Sequence, residues 1–335
     1  MKIKEKIVSF FMSKVDIDFF SNLIKKHKRI FGIPYKIIAQ TLIDYEFPRL
    51  IFVESTSICN LKCKMCPRNS NPIKLGSMET GLFNKIVDEA KNYGKRSFCL
   101  HLFGEPLADN TIIDKIKYIK KSNPENSVLL TTNGVLLTSE ISKALIENKV
   151  DKIAISIHSP DAKTYQNITG FDKLEAVEKN IKELIRLKKE SFFSNPKIIL
   201  RVIRMPENEH EIKDFIKKWE KYPVKIEIRD EHNYGGKIES NPLKNTPRKR
   251  YPCYHLWFSP GINWDGETTI CCDDVSRQAT IGDTNNSTVH EIWNGDALKK
   301  YRKYHLSGQY DKISACKNCD VWDIYPDIFF DWQKK

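Results

Sequence analysis

Three closely spaced cysteines are the residues of this chain best suited to chemistry. They follow an apolar, β-prone run at Leu50–Val53, with three residues between the first pair and two between the second: Cys59, Cys63 and Cys66. A loop of this spacing turns all three sulfurs toward one centre, which suits an iron–sulfur cluster or a zinc ion. Three ligands leave one metal position open, and an open position is typical of a catalytic site. A zinc knuckle or a set of buried free thiols is the alternative interpretation.

A second group of four cysteines lies near the C-terminus: Cys253, Cys271, Cys316 and Cys319. Between the first two, the pair Asp265-Gly266 lies within a β-prone stretch and predicts a hairpin turn. Four thiols can hold either an iron–sulfur cluster or a structural zinc ion, because the two share ligand sets. The remaining two cysteines, Cys99 and Cys272, are interpreted as structural.

The elements that must position these residues follow a regular alternation between residues 50 and about 230. Short apolar runs predict strands at 50–55, 97–103, 127–131, 152–157, 197–204 and 224–229. Amphipathic stretches predict helices near 82–93, 110–121, 139–148, 173–190 and 207–221. This order indicates parallel strands joined by crossover helices, and six such units suit an incomplete (β/α)6 barrel. In barrels of this kind, functional residues lie at the C-terminal ends of the strands.

That rule selects candidate residues beyond the cysteines. Gly104 and Glu105 follow the second strand, an Asn-Gly turn follows the third, and Ser156 closes the fourth. Arg201 lies inside the fifth strand, where a buried guanidinium requires a ligand or a carboxylate of the barrel as its partner. The sixth strand runs into acid, base and hydrogen-bond donors that are candidates for substrate contacts and catalysis: Arg229, Asp230 and His232. A polar exposed loop is the alternative for this last group.

Length and composition describe a soluble globular protein with a sizeable core. The chain has 335 residues, of which 40% are hydrophobic and 29% charged. It contains no run of eighteen apolar residues, so no membrane span is expected. The N-terminus lacks a secretory signal core, and nine cysteines in clusters favour metal sites in a reducing compartment over disulfides. We therefore expect a cytoplasmic protein.

The net charge of +12 raises the question of a nucleic-acid partner. Most lysines occupy the solvent positions of helix-like segments, so a solvated surface is the better explanation and no nucleic acid is expected. Residues 1–48 have apolar positions at helical spacing and predict a helical N-terminal extension, either a lid or a membrane-surface helix. Residues 237–250 are polar and contain Pro242 and Pro247, as in a linker to a second module.

These patterns together resemble the radical S-adenosylmethionine (SAM) superfamily. The C-x3-C-x2-C loop after a first strand is the signature of that family. Phe103–Leu107 is similar to its Gly-Gly-Glu-Pro motif, with Phe103 in place of the first glycine, and Thr132–Gly134 is similar to its Thr-Asn-Gly turn. The fourth strand reads Ser-x-His where relatives often have Ser-x-Asp. The C-terminal cysteine pattern is similar to SPASM/twitch domains, in the shortened twitch-like form with four cysteines.

The resemblance implies cofactors and the residues that hold them. Cys59, Cys63 and Cys66 would bind a 4Fe–4S cluster whose fourth iron binds SAM. Gly104 and Glu105 would contact the SAM amino group, Ser156 the ribose and Arg201 the carboxylate. The four C-terminal cysteines would bind one auxiliary 4Fe–4S cluster. We expect a radical SAM core at 49–236 and a SPASM/twitch-like module at 237–335, after the extension at 1–48.

The family also implies an activity. A 5′-deoxyadenosyl radical would remove hydrogen from a substrate carbon, and we expect dehydrogenation of a small sugar- or cyclitol-like alcohol, with flavodoxin or ferredoxin as reductant. One alternative is radical modification of a ribosomal precursor peptide, although residues 1–48 are short for a peptide-recognition domain. The other is a non-enzymatic iron–sulfur or zinc protein that binds RNA.

Overall fold

In a computed structural model of the chain, residues 44–239 and 250–323 are described here. Most of the predicted N-terminal extension and most of the predicted linker lie outside these ranges. Within them, no helix is both long and apolar enough to cross a membrane.

The first described range alternates strands and helices along the chain. The strands are β1 (Leu50–Val53), β2 (Ser97–Cys99), β3 (Ser127–Thr132), β4 (Lys152–Ser156), β5 (Lys197–Arg204) and β6 (Lys225–Asp230). The helices are α1 (Thr80–Lys91), α2 (Ile112–Ser122), α3 (Ser139–Glu147), α4 (Ala162–Thr169), α5 (Leu174–Glu190) and α6 (Ile212–Trp219). All six predicted strands and five predicted helices are present, and α4 is an element that the periodicity did not predict.

The six strands form one parallel sheet in the order β6-β5-β4-β3-β2-β1. The sheet is open at β6, so the predicted partial barrel is confirmed and it is not closed. Because every strand runs in the same direction, the C-terminal ends lie along one edge, where the candidate residues were predicted.

Alternation along the strands sends apolar side chains to one face of this sheet. Ile198, Leu200 and Val202 of β5 are buried in a core with Val177 and Leu184 of α5. The intervening residues point to the opposite face, which carries polar groups. We call this the polar face and define it by Cys99, Thr131, Arg201, Glu227 and Arg229.

The C-terminal module extends the same sheet. It contains the strands β7 (Gly261–Ile262), β8 (Glu267–Thr269) and β9 (Thr280–Asp283) and the helices α7 (His255–Phe258), α8 (Val289–Trp293) and α9 (Asp296–Leu306). The predicted hairpin is confirmed: Gly266 has φ +93° and its N–H donates to the carbonyl of Asn263 at 2.9 Å. Strand β7 pairs in parallel with β1, so the hairpin continues the barrel sheet.

Helix α1 holds the C-terminal module against the barrel. The ammonium of Lys85 donates to the carbonyls of Thr284, Asn285 and Ser287 at 2.6, 3.3 and 3.3 Å. One turn later, the carboxylate of Glu89 accepts from the first N–H groups of α8, Val289 at 2.7 Å and His290 at 2.8 Å. These contacts fix the position of the module relative to the strands.

Candidate active site

The three-cysteine loop follows β1 and is held by the last turn of α4. Lys62 N–H donates to the carbonyl of Thr169 at 3.2 Å, and Lys64 N–H donates to that of Ile168 at 2.8 Å. Inside the loop, Cys66 N–H donates to the carbonyl of Cys63 at 2.9 Å. The helix that the periodicity missed therefore shapes the loop that the cysteine spacing identified.

The three thiols of this loop are free, half-buried and close to one another. Burial, together with the charges of Cys66 and Cys59, raises the pKa of Cys63 to about 12. Arg68 acts in the opposite direction on the pKa of each of the three thiols, although all three stay raised. Three converging cysteines with a cation beside them are a donor set that fits a cluster with one open iron.

Gly104 has a steric reason to be glycine. A Cβ atom at this position would lie 1.9 Å from the carbonyl oxygen of Thr56. The next residue continues the contact, because Glu105 N–H donates to the carbonyl of Ile58 at 2.8 Å. The loop after β2 thus packs directly on the backbone that leads into the cysteines. Phe103, which replaces a glycine of the family motif, donates its N–H to Glu54 at 3.1 Å.

The carboxylate of Glu105 links this loop to the end of β3. It accepts from Leu107 N–H at 3.0 Å, Thr132 Oγ1 at 2.7 Å and Asn133 N–H at 2.7 Å. Burial raises the pKa of Glu105 to about 7, although these donors act against the increase. Asn133 in turn donates to Asn60 Oδ1 at 2.7 Å, with its amide nitrogen 4.0 Å from Cys59 Sγ. The Asn-Gly turn therefore contacts the cysteine loop directly.

Arg201 forms an ion pair on the polar face. Its Nε lies 2.6 Å from Glu227 Oε2, and Arg229 Nε lies 3.0 Å from the same oxygen. Burial acts to raise the pKa of Glu227, but the two arginines lower it to about 2. Ser156 is the register partner of Arg201 across β4 and β5. Of the two partners expected for Arg201, the structure shows the barrel carboxylate.

The predicted trio at the end of β6 does not share one face. Arg229 lies on the polar face with Glu227, whereas Asp230 is one residue further and points to the other side, with Arg204 Nε at 3.9 Å. His232 lies close enough to the buried His255 to contribute to the lowered pKa of that imidazole. The structure therefore separates Asp230 from Arg229 by the face of the strand and not by exposure, since their side chains are 37% and 41% exposed.

The four C-terminal cysteines line one cavity, together with His255 and Asp273: Cys253, Cys271, Cys316 and Cys319. All four are free thiols. Burial and the charge of Cys319 raise the pKa of Cys316 to about 12, and burial with the charges of Asp273 and Asp320 raises that of Cys319 to about 11. Four cysteines around one cavity are a donor set that fits a metal centre.

Tyr234 lies between the two cysteine sites. Burial raises the pKa of its phenol, and so do the charges of Asp273, Cys66 and Cys272. One of these residues belongs to the three-cysteine loop and two belong to the C-terminal module. Its backbone has φ +46°, in the left-handed region that is uncommon for tyrosine. Sequence patterns did not select this residue, and a polar loop ending in two glycines was the one available signal.

Two sequence models match the chain. A model of the radical SAM superfamily matches residues 53–218, and a model of the SPASM iron–sulfur cluster-binding domain matches residues 253–320. The first match contains the three-cysteine loop and the second contains the four C-terminal cysteines, in the order that the cysteine spacing predicts.

Relatives of similar length are known. The chain is 25% identical over 321 residues to the tungsten-containing aldehyde ferredoxin oxidoreductase cofactor-modifying protein of Pyrococcus furiosus, covering 82% of this chain and 89% of that protein. It is 22% identical over 291 residues to the S-adenosyl-L-methionine-dependent 2-deoxy-scyllo-inosamine dehydrogenase of Niallia circulans, covering 84% and 97%.

Solved structures share the fold. BtrN in complex with AdoMet and 2-DOIA aligns with a TM-score of 0.57 and 19% identity, covering 81% of this chain and 92% of that chain. Streptococcus suis SuiB bound to the precursor peptide SuiA aligns with a TM-score of 0.62 and 14% identity, covering 96% and 84%. With both domain models and both cysteine sites in place, the chain belongs to the radical SAM superfamily and carries a C-terminal SPASM iron–sulfur domain.

Proposed function

We propose that this protein is a radical SAM oxidoreductase that dehydrogenates a carbinol of a small sugar- or cyclitol-like alcohol. Cys59, Cys63 and Cys66 hold the SAM-binding 4Fe–4S cluster. The auxiliary 4Fe–4S cluster is held by the four cavity-lining cysteines: Cys253, Cys271, Cys316 and Cys319. The observation that carries the proposal is that one sheet joins the two cysteine sites. The three-cysteine loop follows β1, and β7 of the module whose cavity the other four cysteines line pairs with β1.

When bound, the two clusters and SAM supply the radical that removes a hydrogen atom from carbon and the acceptor for the remaining electron. The chain binds and orients SAM. An ionised carboxylate has about four acceptor positions, and three donors already occupy the carboxylate of Glu105. The position that remains suits the SAM ammonium group, which would also hold Glu105 ionised. Gly104 keeps this acid next to the cysteine loop.

Arg201 and Ser156 complete the SAM contacts in this proposal. Two arginines share the single carboxylate of Glu227, so the polar face retains positive charge near Arg201. That charge suits the SAM carboxylate, and Ser156, beside Arg201 in the sheet, suits the ribose. A buried guanidinium that is already held by Glu227 presents its remaining donors in a fixed direction.

Arg229 and His232 are the residues that we place next to the substrate. Arg229 is oriented by Glu227 on the polar face, and His232 lies toward His255 of the C-terminal module. Asp230, predicted with them from the sequence, stays a candidate only if the end of β6 rearranges when substrate binds.

Support for a small alcohol comes from the C-terminal module and from one relative. Four cysteines suffice for one auxiliary cluster. The alignment with the dehydrogenase of Niallia circulans covers 97% of the length of that protein. A reductant such as flavodoxin or ferredoxin would supply electrons to the three-cysteine site.

Modification of a peptide is the second candidate, because several solved structures with this fold contain peptides. Among them are SuiB with its precursor peptide and anSMEcpe with AdoMet and the Kp18Cys peptide, which aligns with a TM-score of 0.60 and 17% identity, covering 81% of this chain and 89% of that chain. At these identities the likeness shows the fold alone, so substrate tests must separate the two candidates.

The first test is the cofactor content. Anaerobic reconstitution should load about eight irons per chain, four for each cluster. Replacing Cys59, Cys63 and Cys66 together by alanine should leave about four irons and abolish release of 5′-deoxyadenosine from SAM. Stoichiometric zinc without iron, or equal SAM cleavage by the variant, would contradict the assignment.

The second test is the reaction. Reduced protein with SAM is incubated with cyclitols and sugars that carry deuterium on each carbinol carbon in turn. We expect deuterium in 5′-deoxyadenosine and a ketone product that has lost two hydrogens. A peptide modifier would leave these alcohols unchanged, and deuterium transfer without ketone would indicate epimerisation.

A further inference from the structure

Three donor atoms of different chemistry meet at the edge of the auxiliary cavity, which His255 and Asp273 help to line. They are an imidazole nitrogen of His255, the sulfur of Cys272 and a carboxylate oxygen of Asp273, and all lie within 4.8 Å of one another. His255 Nε2 is 3.7 Å from Asp273 Oδ2, and Cys272 Sγ is 3.5 Å from the same oxygen. None of the three belongs to the two cysteine sets described above.

Two of these separations match the edges of a tetrahedral metal site. Zinc binds nitrogen and oxygen at about 2.0–2.2 Å and sulfur at about 2.3 Å, which places neighbouring ligand atoms about 3.3–3.7 Å apart. Both distances to Asp273 Oδ2 fall at this spacing. The third separation, between the imidazole nitrogen and the Cys272 sulfur, is within 4.8 Å, so side-chain adjustment brings the three donors onto one ion.

The imidazole of His255 is held in an orientation that presents a ligand atom. Its Nδ1 lies 3.1 Å from Ser259 Oγ, one helical turn further along the chain, and both residues are buried. A hydrogen bond from Nδ1–H to Ser259 leaves Nε2 as the basic nitrogen, and Nε2 is the atom near Asp273. Ligating histidines in metal sites are oriented in this way by a second residue.

The two adjacent acids differ in their hydrogen-bond partners. Asp274 accepts hydrogen bonds from Gln278 N–H at 3.0 Å and Ala279 N–H at 2.8 Å. The carboxylate of Asp273, whose side chain is 19% exposed, instead faces the weak S–H donor of Cys272 and the imidazole of His255. A partly buried carboxylate without a strong donor suits a metal ion.

We propose that His255, Cys272 and Asp273 bind one divalent transition-metal ion, Zn²⁺ or Fe²⁺, separate from the iron–sulfur clusters. Mixed nitrogen, sulfur and oxygen donors suit these ions. Three protein ligands leave a fourth position for water or for an oxygen of the substrate. The site itself stands on geometry, whereas the role of binding a substrate hydroxyl rests on the proposed function.

This site changes the interpretation of Cys272. From the sequence, Cys272 and Cys99 were both interpreted as structural thiols. In the structure Cys272 lies close enough to Cys99 for the charge of Cys99 to raise its pKa, and it approaches Tyr234 as well. The proposed ion would therefore face the space between the two cysteine sites.

The test measures zinc binding to the anaerobically reconstituted protein. Increasing Zn²⁺ is equilibrated with the protein, and zinc and iron are both measured by mass spectrometry. We expect about one zinc per chain while iron stays at about eight. Cys272→Ser and Asp273→Asn should each weaken zinc binding at least about tenfold, and Ser259→Ala by about 10–100-fold. Cys99→Ser is the matched control and should bind zinc like the wild type.

Each other result overturns the proposal. If zinc binds and iron is lost, zinc has replaced iron at the cluster cysteines. Equal zinc binding by Cys272→Ser and the wild type places the ion elsewhere, and absence of zinc binding at full iron content rejects the site. Iron content and SAM cleavage, measured on the same samples, show separately whether the proposed function has failed.

Discussion

At the scale of single residues, the buried carboxyl of Glu54 links the barrel to the C-terminal module. It follows β1 and accepts from Phe103 N–H at 3.1 Å and from Trp264 N–H at 3.3 Å. Burial raises its pKa to about 7, although both donors act against the increase. In the unfolded chain a glutamate has a pKa of about 4.3.

Glu54 should make stability depend on pH in a known direction. Because the folded state binds the proton more tightly, the stabilisation is fully present below about pH 4 and is lost as pH rises through about 7. We expect the free energy of unfolding of the wild type, relative to Glu54→Gln, to fall by about 2 kcal/mol between about pH 5.5 and pH 8. Urea unfolding of both proteins at each pH measures this difference. A constant difference would show that Glu54 has an ordinary pKa.

The ion pair on the polar face should be costly to break. Arg201 and Glu227 are largely buried, with side chains 18% and 11% exposed. Glu227→Gln leaves a buried guanidinium without its carboxylate, so we expect the free energy of unfolding to fall by about 3 kcal/mol. Arg204 and Asp230 form a second pair on the same two strands, and their side chains are more exposed, at 39% and 37%.

That second pair provides the matched control. Asp230→Asn should change the free energy of unfolding by less than about 1 kcal/mol, because exposed ion pairs contribute little. Urea denaturation of the two single variants decides the comparison. Equal effects at both positions would mean that the polar face is more accessible to water than the structure indicates.

Residue identities were predictable where spacing along the chain encodes them. The two cysteine sets and Glu105 lie in local motifs, so their types and intervals were sufficient to select them. Tyr234, His255 and Asp273 meet through tertiary contacts between the barrel and the C-terminal module, and no local pattern reports such contacts. Asp230 was grouped with Arg229 because both lie at the C-terminal end of β6, and strand alternation places their side chains on opposite faces.

At the scale of elements, helix α1 is the principal contact between the two parts of the molecule. Glu89 accepts from the first two N–H groups of α8, as a helix-capping acid does, and Lys85 binds three carbonyls just before it. Glu89→Gln removes the charge and should weaken the start of α8 by about 1 kcal/mol. Hydrogen exchange at the amides of Val289 and His290 should become about fivefold faster.

A matched control lies on the same helix. Lys91 is exposed in the last turn of α1, so Lys91→Met should leave exchange at these amides unchanged. Lys85→Met should accelerate exchange over the segment that contains its three carbonyl acceptors. If Glu89→Gln has no effect on exchange, the start of α8 is held by its own capping box, Thr288 with Glu291, and by its apolar contacts.

Strands were more predictable than short helices, for physical reasons. The six β-prone runs are continuous, and β5 has the predicted bounds. Helix α4 buries only Tyr165, Ile168 and Thr169, so its apolar pattern is weak and its ends define it. Asp161 caps it by accepting from Thr164 N–H at 2.9 Å, and Gly170 ends it with φ +77°. Those capping residues were the available signal for this helix.

At the scale of the whole molecule, one continuous sheet connects the two cysteine sites. The three-cysteine loop follows β1, and Cys271 follows β8, which pairs with β7 beside β1. The sequence indicated two modules joined by a linker, but pairing between β1 and β7 is long-range and has no local signature. The sheet therefore fixes the separation between the two sites. A reaction in which both clusters act on one substrate requires a fixed separation of this kind.

This architecture leads to a prediction about the auxiliary site. Four thiolate ligands leave no open iron, so a cluster there is suited to electron transfer and not to direct binding of substrate. Replacing Cys316 and Cys319 by alanine should therefore spare SAM cleavage at the other site and reduce the oxidised product at least about tenfold. Product and 5′-deoxyadenosine are measured in the same anaerobic reaction.

Folding must be separated from chemistry in that experiment, because loss of a metal centre can unfold the domain that contains it. The docking contacts of α1 offer a specific control: the amides of Val289 and His290 should keep their protection from exchange in the double variant. If the module stays docked, we expect the double variant to make 5′-deoxyadenosine but little ketone. A docked variant that still makes full product would show that the auxiliary centre is structural, and radical epimerisation or rearrangement would then explain the site better than oxidation.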